Sequence, residues 1–200
     1  MTKNIIFDLG NVLLDYNPSV YINKKFGDSN KGKEVLKAIF AGDEWNLLDK
    51  GVISQEVAIE DICGRNPEIA ELIRKVMDNW VEILVPIEGT VNILKELSSI
   101  GYGIYFLSNF HSVAYESVTK SYDFFQYFNG GILSFKEKLL KPDYKIFEKL
   151  VKTYKINPKE SIFIDDLNEN IEAARNLEFE VIRFISPEDL KEKLKEKNVI

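Results

Sequence analysis

The sequence holds one cysteine, Cys63, and one histidine, His111, among its 200 residues. A lone cysteine excludes an internal disulfide, and no Cys/His cluster with zinc spacing exists. Both points suit a reducing compartment, so the expected location is the cytoplasm. Long apolar runs are missing as well. No stretch nears the roughly 18 apolar residues that a membrane helix needs, and the opening MTKNIIFDLG meets a charge after a short apolar run, which argues against secretion or membrane spanning. Positive charge is in deficit: 26 Lys and Arg face 32 Asp and Glu, for a formal net charge of −6. Nucleic-acid binding draws on clustered cations that displace phosphate counterions, so no such partner is expected. There is no internal repeat, no low-complexity tract and no apolar stripe that asks for a partner, which leaves a monomer as the default. What is present is ordinary globular composition, 45% hydrophobic and 29% charged. A chain of this length buries about 70% of its unfolded surface without staples.

Apolar runs alternate with helical patterns through the second half: GYGIYFLSN, VAYESVTKSY, GGILS, DYKIFEKLVKTY, SIFIDD, NIEAARNL and FEVIRF. Strand–helix alternation of this kind predicts an α/β fold, a Rossmann-like parallel sheet with helices on both faces. A further strand, NIIFD, opens the chain but lacks a crossover helix of its own. Residues 16–86 instead read as several amphipathic helices, with apolar positions at helical spacing in VLKAIF, EVAIEDI and PEIAELIRKVMDNWVEIL. Asn66 before Pro67 reads as an N-cap and first-turn pair. The expected organisation is a core of residues 1–15 and 87–200 with an all-helical insertion, 16–86, after the first strand. Pro86 and Gly89 mark the return, followed by the crossover helix TVNILKELSSIG. The last segment, SPEDLKEKLKEKNVI, is a helix capped by Ser186 with a solvated charged face.

Ligands of open parallel sheets sit outside the carboxyl ends of the strands. The residues there are polar: Asp8 after the first strand, Ser108 and Asn109 after the second, the pair Asp165 and Asp166 after the fourth. Lys141 sits in the loop LLKPD before a helix. Singly, each has an ordinary explanation. An aspartate after a strand is commonly a turn or cap residue, Ser108 and Asn109 are able to cap the next helix, and Lys141 before Pro142 fits a solvated loop. Adjacent carboxylates near a third repel one another unless a cation compensates them, and Mg2+ suits such a site, holding a few carboxylates and filling its other positions with water and phosphate. Three acids, a lysine and a hydroxyl at one sheet edge form a phosphate-transfer constellation.

At these residues the sequence resembles the haloacid dehalogenase-like superfamily, most of whose members are phosphatases, and all four motifs occur in order over essentially the whole chain. FDLGNVL is similar to the first motif, with Asp8 in the nucleophile's position. FLSN is similar to the second, with Ser108 in the phosphate-binding position and Asn109 beside it, and Lys141 in KPD corresponds to the third. IFIDDLNEN is similar to the fourth, in which Asp166, with Asp165 beside it, supports Mg2+ and Asn170 orients. FDLGNV together with GDEWNLLDKGVIS further resembles small bacterial members that act on sugar phosphates, including glucose 1-phosphate. The resemblance implies a helical cap over the site and a Mg2+-dependent phosphatase for a small phosphorylated metabolite, a sugar phosphate in the first instance. Asp8 would form an aspartyl-phosphate, while Lys141, Ser108 and the backbone of the DLGN turn, including Gly10 and Asn11, hold the phosphate.

The sequence departs from the family pattern at one place. The residue two beyond the nucleophile is usually an aspartate that protonates the leaving group, and here it is Gly10. Its carbonyl still serves as a metal ligand, but glycine supplies no proton, and general acid catalysis is worth about 10²–10⁴ in rate. An easily departing leaving group is one answer. An acid from elsewhere is another, His111 and Asp15 being the nearby candidates. In the insertion, Trp45 and Asp49 are candidate pocket residues, for stacking on a sugar face and accepting its hydroxyls, and the alternative is that Trp45 packs between helices and Asp49 is solvated. Trp80 reads as core. Two other readings compete: a metal-independent 2-haloacid dehalogenase, against which the paired Asp165 and Asp166 count, and a catalytically idle protein that binds phosphate ligands.

Overall fold

A computed structural model describes residues 2–200. Five strands, β1 (Asn4–Phe7), β4 (Gly103–Ser108), β5 (Gly130–Leu133), β6 (Ser161–Asp165) and β7 (Glu180–Arg183), form one parallel sheet in the order β5-β4-β1-β6-β7. The period-2 alternation of side chains sorts these strands into two cores. Ile5, Phe7, Ile104, Phe106, Ile162 and Ile164 pack on one face, against α6 (Glu88–Ser99), α7 (Ser112–Ser121) and α11 (Pro187–Glu196). Ile6, Leu107 and Phe163 pack on the other, against α9 (Tyr144–Tyr154) and α10 (Asn168–Asn176). Both faces are covered, as the near-continuous apolar strands require. Ser186 caps α11 as expected, accepting from the Asp189 amide.

Phe7 sits level with Phe106 on one side and Ile164 on the other. That register sets Asp8, Ser108 and Asp165 at the carboxyl ends of three adjacent central strands.

Between β1 and α6 lie five helices: α1 (Pro18–Phe26), α2 (Asn30–Phe40), α3 (Asp43–Asp49), α4 (Gln55–Arg65) and α5 (Ala70–Met77). Two elements at the junction are too short to read from sequence. Leu14–Asp15 (β2) and Val85–Pro86 (β3) pair antiparallel, so the chain leaves and re-enters the sheet side by side. Asn66 corrects its expected role. Its side-chain amide reaches back to the Ile62 carbonyl at 2.8 Å, satisfying the unpaired end of α4, and no side-chain cap is made forward. A 3-10 turn, Pro67–Ile69, then precedes α5. The long helical pattern to Leu84 is likewise interrupted, closing in a second 3-10 turn, Trp80–Ile83. Among the described residues no helix is long and apolar enough to cross a membrane.

The loop between α3 and α4 rests on the short helix α8 (Ser134–Glu137) beside the sheet. The Ser134 hydroxyl donates to the Asp49 carbonyl, and the Lys138 ammonium donates to the Gly51 carbonyl. Gly51 adopts φ +66°, and a Cβ there would stand 2.5 Å from the Phe135 carbonyl oxygen. Left-handed backbone and close approach both demand glycine here. Gly51→Ala is expected to lower stability by about 1–3 kcal/mol, read as a shifted urea midpoint at unchanged slope, whereas an alanine at exposed Gly101, where φ is positive but the space is open, tests the backbone effect alone.

Candidate active site

Lys141 joins the sheet-edge residues. Its ammonium lies 2.9 Å from Asp8 Oδ1 and 2.6 Å from Asp165 Oδ2, and its side chain is 1% exposed. The alternative of a solvated loop lysine therefore does not hold. Two side chains fix the arrangement. Asn109 clamps the Lys141 peptide from both sides: its carbonyl oxygen accepts from the Lys141 amide at 2.8 Å and its side-chain nitrogen donates to the Lys141 carbonyl at 3.0 Å. Asn109, expected as a substrate ligand, holds the lysine's backbone in this way and also lines a neighbouring cavity. Asn170 donates to both Asp165 oxygens, at 3.0 and 3.1 Å, while the Leu167 amide donates to Asp165 Oδ1 at 2.9 Å. Asp165 is thus saturated by protein donors.

Asp8 Oδ1 receives the Leu9 amide at 2.7 Å as well as Lys141. In the following turn Asn11 takes φ +53°, a conformation asparagine tolerates better than most residues. Its side chain donates to Asp166 Oδ2 at 3.2 Å and accepts from the Tyr16 amide at 3.1 Å, linking the first and fourth motifs to the start of the insertion. Ser108 is buried at the end of β4 and its hydroxyl favours the Asp8 anion.

Charge does not balance in this cluster. Asp8, Asp165 and Asp166 bring carboxylate oxygens within 4.8 Å of one another, against one ammonium. Burial pushes Asp8 up to about 7; Lys141 pulls against this, Asp165 adds to it, and Ser108 opposes it. Burial and then Asp165 also raise Asp166, with Asn11 opposing. For Lys141, burial works against the charge, but Asp165 and Asp8 outweigh it and hold the ammonium above the ordinary lysine value. Two carboxyls raised above their ordinary values beside a saturated one are the mark of a missing positive charge. An all-oxygen donor set fits a hard divalent cation, and the residues with unspent oxygens are Asp8, Asp166 and the Gly10 carbonyl.

Next to the cluster lies a cavity of about 80 Å3, lined by Gly10 and by residues from both the sheet edge and the insertion, among them Tyr16, Trp45, Asp49, Trp80 and His111. Trp45 packs on Phe40 and Trp80, with centroids 4.7 and 4.8 Å away, and also forms cavity wall. Trp80 is core, at 2% exposure, and lines the cavity too. Asp49 is half-buried, with its Oδ1 3.1 Å from His111 Nε2. Asp15 is exposed on β2 and does not line the cavity. Sequence reasoning missed Tyr16, whose only signal was its place one residue past the exit from the core.

The Haloacid dehalogenase-like hydrolase family matches residues 5–184. The chain belongs to that family. It is 26% identical over 177 residues to a sesquiterpene phosphatase, astK, of Aspergillus oryzae, covering 86% of this chain and 85% of that protein. It is also 26% identical over 202 residues to a D-ribitol-5-phosphate phosphatase of Bacteroides thetaiotaomicron, covering 92% of each. Among solved structures, a HAD family enzyme of Bacteroides thetaiotaomicron, bt-2542, superposes with TM-score 0.75 at 25% identity, covering 96% of this chain and 98% of that one. The wild-type form of that enzyme in complex with magnesium and inorganic phosphate superposes with TM-score 0.71 at 27% identity over 93% and 96% of the two chains. The fold expected from strand–helix alternation and the family expected from the four motifs both stand.

The raised Asp8 carboxyl has a consequence for stability. Below its ordinary value of 3.8 the carboxyl is protonated in folded and unfolded chains alike. Between 3.8 and about 7 the folded protein keeps a proton that the unfolded chain releases. Stability of the metal-free protein therefore falls as pH rises through that window. Asp8→Asn should lessen this fall, gaining about 1 kcal/mol or more on the parent between the lower and upper ends of the window, read by chemical denaturation in the presence of a chelator. A constant difference across the window would contradict the assignment.

Proposed function

We propose that the protein is a Mg2+-dependent phosphatase for a small phosphorylated metabolite, a sugar or polyol phosphate, with Asp8 as nucleophile. The observation that carries this reading is the Asp8 carboxylate, fixed through Oδ1 by Lys141 and the Leu9 amide beside two further acids and a partly open cavity. Oδ1 takes both fixed donors, so Oδ2 is the oxygen available to attack phosphorus. The attack forms an aspartyl-phosphate on Asp8, which water then hydrolyses, splitting one hard displacement into two easier ones. Lys141 and Ser108 offset the negative charge of the transferring group in a site that excludes bulk water. Asp8, Asp166 and the Gly10 carbonyl would hold Mg2+, which supplies charge neutralisation at the phosphoryl oxygens. Asp165 serves by holding Lys141, and Asn170 by holding Asp165.

In this reading residues 16–86 form a cap over a core of residues 1–15 and 87–200, with the β2–β3 ribbon as the connection between them. The relatives named for polyol-phosphate and sesquiterpene substrates differ widely in the leaving group, which supports a shared phosphoryl site and a substrate choice made by the insertion. Trp45 and Asp49 would meet the organic part of the substrate. The aromatic walls with one carboxylate suit a compact polyhydroxylated group better than a long apolar chain. The protein is proposed to act in the cytoplasm as a monomer on free metabolites, with neither nucleic acid nor membrane as partner, consistent with its net charge of −6.

Phosphate release from a panel of sugar, polyol, nucleotide and acyl phosphates, with Mg2+ and with chelator, tests this reading. Turnover should require both the metal and Asp8, with Asp8→Asn reducing it to background. Halide release from 2-haloacids without metal would point instead to a dehalogenase, and tight phosphate binding with no turnover of any ester would point to a binding protein.

A further inference from the structure

Gly10 leaves the phosphatase reading without a proton donor for the leaving group, and the structure offers a different source. A side-chain carbon built at Gly10 would meet no atom within 4 Å, so the space where an acid would project is open, and Gly10 itself lines the cavity that His111 also lines. His111 comes from the loop after β4, only 4% exposed, with its ring against Trp45 and Trp80 at centroid distances of 4.3 and 4.9 Å. Neither ring nitrogen makes a hydrogen bond within the protein. Nε2 lies within ion-pair distance of Asp49 Oδ1, 3.1 Å, without the alignment of a hydrogen bond. Nδ1 has no protein partner. An unpaired buried donor costs about 1–3 kcal/mol, which a purely packed residue has no reason to bear. Trp45 and Trp80 hold the ring in place, with the Asp49 carboxylate beside it.

We propose that His111 is the catalytic acid–base of this chain, protonating the leaving-group oxygen in place of the side chain that Gly10 lacks, with Asp49 of the insertion as its positioning residue. This inference rests on the phosphatase reading. In the first step an Asp8 oxygen bonds to phosphorus, the bond from phosphorus to the ester oxygen breaks, and the proton of the imidazolium passes to that oxygen, which leaves as the alcohol. In the second, water bonds to phosphorus, neutral His111 takes its proton, and the bond from phosphorus to Asp8 breaks, restoring carboxylate and imidazolium. Because Asp49 belongs to the insertion and His111 to the sheet edge, the acid is assembled only when the two meet.

The test compares an alkyl ester, glycerol phosphate or a sugar phosphate, with p-nitrophenyl phosphate, whose leaving group departs as an anion and needs no proton. His111→Gln should lower the ratio of alkyl to aryl turnover by about 100-fold or more, through kcat rather than KM. Asp49→Asn should move the same ratio in the same direction by less. Adding Gly10→Asp to the His111→Gln protein should restore part of the alkyl turnover, since the space for that carboxylate is present. Circular dichroism and melting of each variant separate lost folding from lost chemistry. An equal loss on both esters, or a ratio that collapses in Tyr16→Phe but not in His111→Gln, overturns the inference while the phosphatase reading stands. Absence of Asp8-dependent release by the parent on every ester overturns both.

Discussion

A buried ammonium shared by two carboxylates from different strands is the constraint on which the rest of the site depends. Lys141 and Asp165 are both fully enclosed, and taking such charges out of water costs several kcal/mol per ion before their attraction returns any of it. A pair of this kind is poor evidence for stability, because an apolar replacement of similar volume often does as well. Its value is geometric. It fixes Asp8 Oδ1 to one place, and it does so only because β4, β1 and β6 are neighbours whose registers end together. The two asparagines then make sense as parts of one device: Asn109 holds the backbone from which Lys141 extends, and Asn170 holds the carboxylate it must meet.

Leaving the site one positive charge short follows from the same arrangement. One lysine against three acids keeps Asp8 near the middle of the pH range, raised by its burial and by Asp165. Under the proposed function a nucleophile held there would be unreactive when protonated and would become a full carboxylate when a cation arrives, so the fixed cation would serve orientation and a mobile one neutralisation. Lys141, Asn170 and the Leu167 amide all bond to Asp165, whereas the adjacent Asp166 accepts from Asn11 and, under the proposed function, would keep its other oxygen for the metal.

Alternating apolar residues made the sheet and its two covered faces legible, because Ile5 and Ile6 or Phe163 and Ile164 must point opposite ways on a strand. The polar residues at the strand ends were legible for a related reason: nothing in a packed core explains two adjacent acids there. The junction and the cavity were not. A ribbon of two residues per strand carries no periodicity, and the break after Ile69 and again before Trp80 is a matter of tertiary packing that overrode a helical pattern. Asn66 before Pro67 had the spacing of an N-cap, and its side chain instead bonds back to the Ile62 carbonyl. Tyr16, Trp45, Trp80 and His111 are scattered over nearly a hundred positions, so their convergence on one cavity is a property of the insertion's placement.

The size of that cavity bears on how a substrate enters. At about 80 Å3 it is well below the roughly 300–1,000 Å3 of ordinary small-molecule sites, so under the proposed function a phosphorylated sugar would require the insertion to shift. What must give way is modest: the contacts from Ser134 to Asp49 and from Lys138 to Gly51, the approach of Asp49 to His111, and the aromatic faces behind them. The β2–β3 ribbon, two residues on each strand, is the natural place for the movement to be absorbed. Its near strand directly follows the turn that carries Asp8, Gly10 and Asn11, and the Asn11 side chain bonds both to Asp166 and to the Tyr16 amide just past that strand. Under the proposed function, displacement of the insertion would load the same turn that holds Asp8, and that link would tie closure to chemistry, since Asp49 would reach His111 in the position where the organic group is shut away from water.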